Sequence, residues 1–202
     1  MKAQSYAGEL PTTRFRARSP YEAVSLESIG DFGITATDRD GVGLAMVAVR
    51  NGRLPALTAV VQEELDLELP QGPKRMVSGK LAFSGIGPGT WLAEFEGGGN
   101  GFADMLKKTV GDLASVSDWS DGYAVLRLTG RNLRDALAKI VPIDLHPRVF
   151  KPGTVACTQP YGAILWNPGD VGDGLPAIEV AVARSCAGEL WHELFAGAAG
   201  CG

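Results

Sequence analysis

The sequence predicts an α+β fold that contains two copies of one βαββα unit. Apolar residues recur at i, i+3, i+4 and i+7 in four segments, and this spacing indicates four amphipathic helices. Short apolar and β-branched runs lie between these segments and indicate strands. The chain has 27 glycines and 12 prolines among 202 residues, a share well above the usual value of about 12%. We therefore expect many tight turns that join short elements.

Each of the four predicted helices has one apolar face that is expected to lie in a core or an interface. Pro55 lies near the start of the first helix, where proline fits the first turn. The four apolar faces consist of Leu57, Val60, Val61 and Leu65; of Phe102, Met105, Leu106, Val110 and Leu113; of Leu133, Ala136, Leu137, Ile140 and Val141; and of Ala187, Leu190, Trp191, Leu194 and Phe195.

The predicted strands are short and follow the helices in a repeated order. They cover residues 43–50, 80–85, 90–96, 123–129, 154–158, 163–166 and 177–182, with an additional edge strand at 32–37. From residue 43 the order is strand, helix, strand, strand, helix, and from residue 123 it repeats with one extra strand. This order is typical of a duplicated split βαβ, ferredoxin-like unit with both helices on one face of an antiparallel sheet.

A polar, turn-rich segment at residues 115–122 separates the two predicted units. The expected organisation is an extended or disordered arm at 1–20, a first α+β lobe at 21–114 and a second α+β lobe at 115–202. Two units of this size can share one core or pack as separate lobes.

Composition and charge exclude several classes of function. Lys and Arg number 19 against 23 for Asp and Glu, so the formal net charge is −4, which disfavours nonspecific binding to nucleic acid or to anionic membranes. No apolar run approaches the roughly 20 residues of a membrane span, and the N-terminal segment has no signal-peptide pattern. We therefore expect a cytoplasmic protein. The scattered Cys157, Cys186 and Cys201 predict no disulfide framework and no zinc site.

The residues alone predict no catalytic, cofactor-binding or metal-binding site. The glycine clusters at 85–89 and 97–101 both fail the spacing of a dinucleotide fingerprint. The second cluster precedes a predicted helix, where it either binds an anion or forms a flexible turn. The histidines are His146 and His192, and neither accompanies a nucleophile motif. Cys186, at the start of the last helix, is either an activated thiol or a small buried residue.

Three motifs carry a family resemblance. Residues 144–150 read D-L-H-P-R-V-F, and residues 184–191 read R-S-C-A-G-E-L-W. Together they resemble the gamma subunit of heterotetrameric sarcosine oxidase, a family shared with complexes of the N-methylglutamate dehydrogenase type. Residues 86–92, I-G-P-G-T-W-L, resemble a turn and strand of that family and of aminomethyltransferase-like proteins. The resemblance covers about residues 79–195.

This resemblance implies an aminomethyltransferase-like fold and a role without catalysis. The chain would be the gamma subunit of a flavin-dependent, folate-linked complex that oxidatively demethylates sarcosine. It would contact mainly the alpha subunit, with the beta and delta subunits completing the heterotetramer. FAD, FMN, NAD, tetrahydrofolate and zinc are expected in the partner subunits, and no cofactor is expected in this chain. The chain would thus belong to an oxidoreductase complex without supplying catalytic residues.

Two other functions remain open from the sequence. The first is a gamma-type subunit of a dehydrogenase for N-methylglutamate or another secondary amine. The second is a free-standing folate-binding protein with an aminomethyltransferase-like fold, which would need an acidic residue and a folate pocket between the two units.

The candidate partner interface consists of His146, Arg148, Phe150 and Arg184. Pro147, within the segment 146–150, and Pro152, just after it, restrict its backbone, so docking would cost little conformational entropy. Arginine and aromatic residues are the types expected to anchor an interface. The alternative is that the two motifs pack against each other inside the subunit.

Overall fold

The computed structural model describes residues 33–99, 101–159, 161–172 and 174–199. The predicted arm at 1–20 lies outside this part of the chain. The elements in chain order are β1 (Ile34–Asp38), β2 (Gly43–Val49), α1 (Leu54–Leu65), β3 (Arg75–Ser78), β4 (Leu81–Gly87), β5 (Thr90–Phe95), α2 (Phe102–Val110), β6 (Ala114–Asp118), β7 (Tyr123–Gly130), α3 (Leu133–Ala138), β8 (Val155–Cys157), β9 (Ile164–Trp166), β10 (Ala177–Ala183) and α4 (Ala187–Ala199).

The strands form two antiparallel five-stranded sheets. The first sheet has the order β3-β4-β5-β2-β6, and the second has the order β1-β7-β10-β9-β8. The predicted α+β class is therefore confirmed. Strands β3 and β6 are additions to the prediction, because their sequences, R-M-V-S and A-S-V-S-D, are short and carry few apolar residues.

The two sheets correspond strand by strand, which supports the predicted duplication. Neighbouring strands of the first sheet follow the order β2-β5-β4-β3. The equivalent strands of the second sheet follow the order β7-β10-β9-β8. The remaining edge position differs in origin. In the first sheet it is filled by β6, which follows α2, whereas in the second it is filled by β1, which precedes the whole first unit.

Because the two sheets exchange edge strands, the boundary between them does not fall between residues 114 and 115, where the sequence predicts that the two lobes divide. β1 belongs by sequence to the predicted first lobe but pairs with β7, with Ile34 opposite Gly130. β6 lies almost entirely in the predicted second lobe but pairs with β2. A single cut of the chain at residue 115 would therefore remove one strand from each sheet.

Successive side chains of each strand point to opposite faces of its sheet, and this alternation produces a four-layer arrangement. On β5, Trp91 and Ala93 pack in the core of the first sheet with α1 and α2, while Leu92 points to the opposite face. The second sheet packs in the same way against α3 and α4. The remaining faces of the sheets meet in a third apolar cluster that includes Leu44, Leu92, Val125, Val155, Ile164, Trp166 and Ala181. The order of layers is helices, sheet, sheet, helices.

The helical spacing correctly predicted most of the buried faces, and the side chain of Phe195 lies outside the described residues. Met105 is exposed, so it lies outside the core face of α2. Helix α3 ends at Ala138, before Ile140 and Val141, although Val141 still packs in the second core. Leu137 lies fully buried in the same core.

Candidate functional site

The candidate interface segment lies in the connection between α3 and β8. His146, Arg148 and Val149 are exposed, and Val149 has 55% of its surface accessible. Phe150 is only 2% exposed and packs in the second core. The prediction that Phe150 anchors a partner is therefore wrong for this chain, because its ring fixes the loop to the core. Val149, which the sequence reasoning missed, is the apolar side chain that the loop presents to solvent.

Hydrogen bonds within the loop and from neighbouring elements fix its backbone. The backbone N–H groups of Val149 and Phe150 both donate to the carbonyl of His146, at 2.8 and 2.9 Å. Asn167 donates from Nδ2 to the carbonyl of Phe150 at 2.9 Å. The Arg134 guanidinium, reaching from α3, donates to the carbonyls of Leu145 and Phe150. The exposed residues 146–149 are thus presented on a fixed backbone.

Arg184 lies far from this loop. It occupies a 3-10 turn directly after β10, and its backbone N–H donates to the carbonyl of Gly122 at 2.9 Å. Its side chain lines a polar cavity of about 490 Å³ together with Asp38, Asp40 and Asp121. The loop with Arg148 adjoins the other end of β10, near Ala177. The structure therefore does not bring the two predicted interface arginines together.

A buried carboxylate lies between the sheets and was not predicted. Glu179, on β10, accepts hydrogen bonds at Oε1 from Arg39 at 2.9 Å and from Nε of Arg127 at 2.6 Å. Its Oε2 accepts from Trp166 Nε1 at 2.7 Å. Burial raises the pKa of Glu179, and the positive charge of Arg39 partly offsets that rise. The Arg39 guanidinium also donates to Oε1 of Glu96 at 2.6 Å, and Glu96 directly follows β5 of the first sheet.

A second buried ion pair adjoins the first. Arg75, on β3, pairs with Glu94 of β5 and donates to Ser84 Oγ at 3.0 Å. Its guanidinium also lies 4.9 Å from the centre of the Trp166 ring, a cation–π contact across the sheets. Burial lowers the pKa of Arg75 to about 10. These contacts make the cluster a connection between the sheets.

The sequence contains a signal for this charged cluster. Glu94 interrupts T-W-L-A-E-F and Glu179 interrupts A-I-E-V-A-V-A, so each carboxylate occurs inside an otherwise apolar strand. A buried charge needs a partner, and such positions predict an internal ion pair. Among the described residues, no group of three or more His, Cys, Asp or Glu side chains is arranged to hold a metal ion.

The glycine cluster at 97–101 precedes α2, and it is explained by close packing. A Cβ atom on Gly98 would lie 2.1 Å from the Phe95 ring, and one on Gly43 would lie 2.8 Å from the carbonyl oxygen of Gly98. Gly101 has a φ of 86° and caps the helix. Close contacts of the turn therefore require glycine at positions 43 and 98.

A separate apolar cavity of about 470 Å³ is lined by residues of both sheets. Its walls are the segment 69–73, the β4–β5 turn at 85–89, and Ala156 with Cys157 from β8. Trp91 also lines it, and the exposed Leu54 lies at its edge. The cavity thus uses residues of both sheets.

The helices that the structure describes are too short or too polar to cross a lipid bilayer.

The model of the sarcosine oxidase, gamma subunit family matches residues 50–199. This chain belongs to that family. The match extends from the residue after β2 to the last residue of α4. The matched range therefore contains the connection between α3 and β8, the Arg75–Glu94 pair and the apolar cavity, whereas Arg39 lies outside it. The resemblance noted in the sequence is confirmed.

Two solved structures place this gamma subunit family member among known folds. A chain of the heterotetrameric sarcosine oxidase from Corynebacterium sp. U-96, solved with pyrrole 2-carboxylate, matches with a TM-score of 0.76 at 22% identity, covering 91% of this chain and 95% of the other. Aminomethyltransferase T of the glycine cleavage system from Bartonella henselae matches with a TM-score of 0.58 at 16% identity, covering 80% of this chain and 45% of that chain. At these identities the similarity concerns the fold. A comparison with the sequences of curated proteins gave no significant match.

Proposed function

We propose that this chain is a noncatalytic gamma subunit of a flavin-dependent, folate-linked sarcosine oxidase, and that it contacts mainly the alpha subunit. The observation that carries the proposal is the family match over residues 50–199. The fold similarity, which extends over 95% of a chain in a heterotetrameric sarcosine oxidase, supports it. In this proposal the alpha, beta and delta subunits hold FAD, FMN, NAD, tetrahydrofolate and zinc, and the complex oxidatively demethylates sarcosine.

The contribution of this chain would be a rigid body with a preformed contact loop. The charged cluster connects the two sheets, because Arg39 binds both Glu179 of the second sheet and Glu96 beside the first, and Arg75 of the first sheet contacts the Trp166 ring of the second. Side chains from α3 and from the residue after β9 hold the loop. Arg148 can pair with a carboxylate of a partner subunit, while Val149 adds apolar contact. Arginine is enriched at interface hot spots, and a fixed backbone reduces the entropy lost on docking.

Co-expression with the alpha, beta and delta subunits tests the proposed role. We expect the tagged chain to recover all three partners in equal amounts, together with the flavin absorbance of the complex. The tagged chain purified alone should show no flavin absorbance. Recovery of the chain without partners, or a stoichiometric flavin on the isolated chain, would contradict the proposal.

The fold also favours a second candidate, a free-standing folate-binding protein, because aminomethyltransferase T shares it. Calorimetry of the isolated chain with tetrahydrofolate separates the two candidates, since only the free-standing protein would bind folate without partners. A gamma-type subunit of a dehydrogenase for N-methylglutamate or another secondary amine would instead assemble. In that case, the amine that the purified complex oxidises would identify it.

A further inference from the structure

We propose that Asn51 is a modification site, at which the side chain loses its amide through a cyclic imide formed with the backbone nitrogen of Gly52. The two residues lie in the turn between β2 and α1, and both are exposed. Asparagine is among the chemically labile residues of proteins. This inference concerns the chemistry of the turn alone and does not depend on the proposed subunit role.

The conformation of the turn explains why a glycine follows Asn51. Asn51 and Gly52 are the central residues of a β-turn, which the backbone N–H of Arg53 closes by donating to the carbonyl of Arg50 at 3.0 Å. Gly52 has a φ of 72°, a left-handed conformation that glycine adopts without steric cost. The same glycine leaves the peptide bond after Asn51 without a neighbouring side chain.

Neither of the two reacting groups is held by another part of the described chain. Within residues 33–99, 101–159, 161–172 and 174–199, the Asn51 carboxamide forms no hydrogen bond and the Gly52 N–H donates none. A Cβ atom built on Gly52 would have no other heavy atom within 4 Å. The Asn51 side chain can therefore turn toward the Gly52 nitrogen without breaking a contact of its own.

The reaction needs water and no other reactant. The Gly52 nitrogen loses its proton and attacks Cγ of Asn51, so that an N–Cγ bond forms and the Cγ–Nδ2 bond breaks. Nδ2 takes up a proton and leaves as ammonia, and no atom is oxidised or reduced. Water then adds to either carbonyl of the five-membered imide. Opening the ring gives aspartate, or isoaspartate, in which the main chain passes through Cβ and Cγ.

The other two described asparagines each lack a feature that the reaction needs. Asn132 is exposed, but the residue after it, Leu133, is fully buried in the second core, so its backbone is held in place. Asn167 is 4% exposed and precedes Pro168, whose nitrogen carries no hydrogen to lose. Asn100 also precedes a glycine, but it lies outside the described residues. Asn132 therefore provides an exposed comparison within the same chain.

Conversion of Asn51 would change the start of α1. This helix has no acidic residue in its first turn and no side-chain cap, so an aspartate at position 51 would place a negative charge near a helix end that favours one. Isoaspartate would instead lengthen the main chain of the turn by one atom. That would disturb the entry into the helix whose Leu57 and Val61 pack in the first core.

Peptide mapping of the full chain after prolonged incubation tests the proposal. A protease that cleaves after glutamate releases residues 28–63, in which Asn51 is the only asparagine. We expect this peptide to gain the mass of the acid form and to separate into aspartate and isoaspartate products. In ¹⁸O-labelled water the product should carry one ¹⁸O atom. Conversion should be faster at higher pH, because the Gly52 nitrogen must lose a proton.

Asn132 and the variant Asn51→Gln are the matched controls. In the unaltered chain, Asn51 should convert about ten-fold faster than Asn132, or more. Asn51→Gln keeps an exposed amide but would need a six-membered ring, so its 28–63 peptide should convert at least ten-fold more slowly than the unaltered peptide. The comparison with Asn132 needs no variant and holds even if Asn51→Gln does not fold. Equal conversion of Asn51 and Asn132, or a product without isoaspartate, would overturn the proposal.

Discussion

Replacing Glu179 with Gln tests how much the buried carboxylate at the centre of the charged cluster stabilises the fold. The substitution keeps the shape of the side chain and leaves an oxygen that can accept from Trp166 Nε1. It removes the negative charge that contacts Arg39 at 2.9 Å and Arg127 at 2.5 Å. Both guanidinium groups then lose their buried counter-charge, while Arg39 keeps its bond to Glu96.

The expected cost follows from the burial of the partners. Removing one member of a fully buried pair costs about 3–5 kcal/mol. The Arg39 and Arg127 side chains are 15% and 30% exposed, so each can regain some water, and we expect a loss of about 2–3 kcal/mol. Glu96→Gln is the matched control. It breaks a bond to the same Arg39, but Glu96 is 59% exposed, so its loss should cost about 1 kcal/mol or less.

Urea unfolding at pH 7, followed by far-ultraviolet circular dichroism, measures both variants on the isolated chain. The double variant Glu179→Gln with Arg127→Met should recover part of the lost stability, because it removes one uncompensated charge. Equal losses for Glu179→Gln and Glu96→Gln would refute the reasoning, since they would mean that the buried and the exposed carboxylate contribute alike.

Three further predictions concern the core, the cavity thiol and the contact loop. Leu137→Ala should lower the free energy of unfolding by about 2–5 kcal/mol, because the side chain is fully buried between helices and sheet, whereas the exposed Asp112→Ala should change the melting temperature little. Burial raises the pKa of the Cys157 thiol above 9.0, and only the thiolate reacts. Its alkylation rate in the isolated chain should therefore still be rising above pH 9.0, and a plateau below that pH would contradict the assignment. Arg148→Ala with Val149→Ser should leave the melting temperature unchanged and weaken capture of the alpha subunit by about 2 kcal/mol; unchanged capture would place the interface elsewhere.

The helices and central strands could be predicted because their signals are local. Leu57 and Leu133 each begin an apolar face with helical spacing, and both are fully buried as expected. The pairing of β1 with β7 could not be predicted in this way. This pairing places Ile34 opposite Gly130. The sequence of a short edge strand does not indicate which sheet the strand joins.

In the candidate interface loop, the directions of single side chains could not be predicted from the sequence either. In the motif at 144–150, His146 and Arg148 are exposed, and their contact with a partner remains a prediction. Neighbouring loop residues point in different directions, however, because Phe150 is buried and Val149 is exposed. The cavity beside Trp91 combines segments from both sheets, so it exists only once the sheets have packed.

We propose that this chain acts as a structural subunit of a heterotetrameric amine oxidase. The most direct measurement is the mass of the complex recovered through a tag on this chain after co-expression with alpha, beta and delta subunits, read by size-exclusion chromatography with light scattering. We predict a single species that contains one copy of each subunit and oxidises sarcosine. A peak containing this chain alone, alongside an active complex of the other three subunits, would contradict this role.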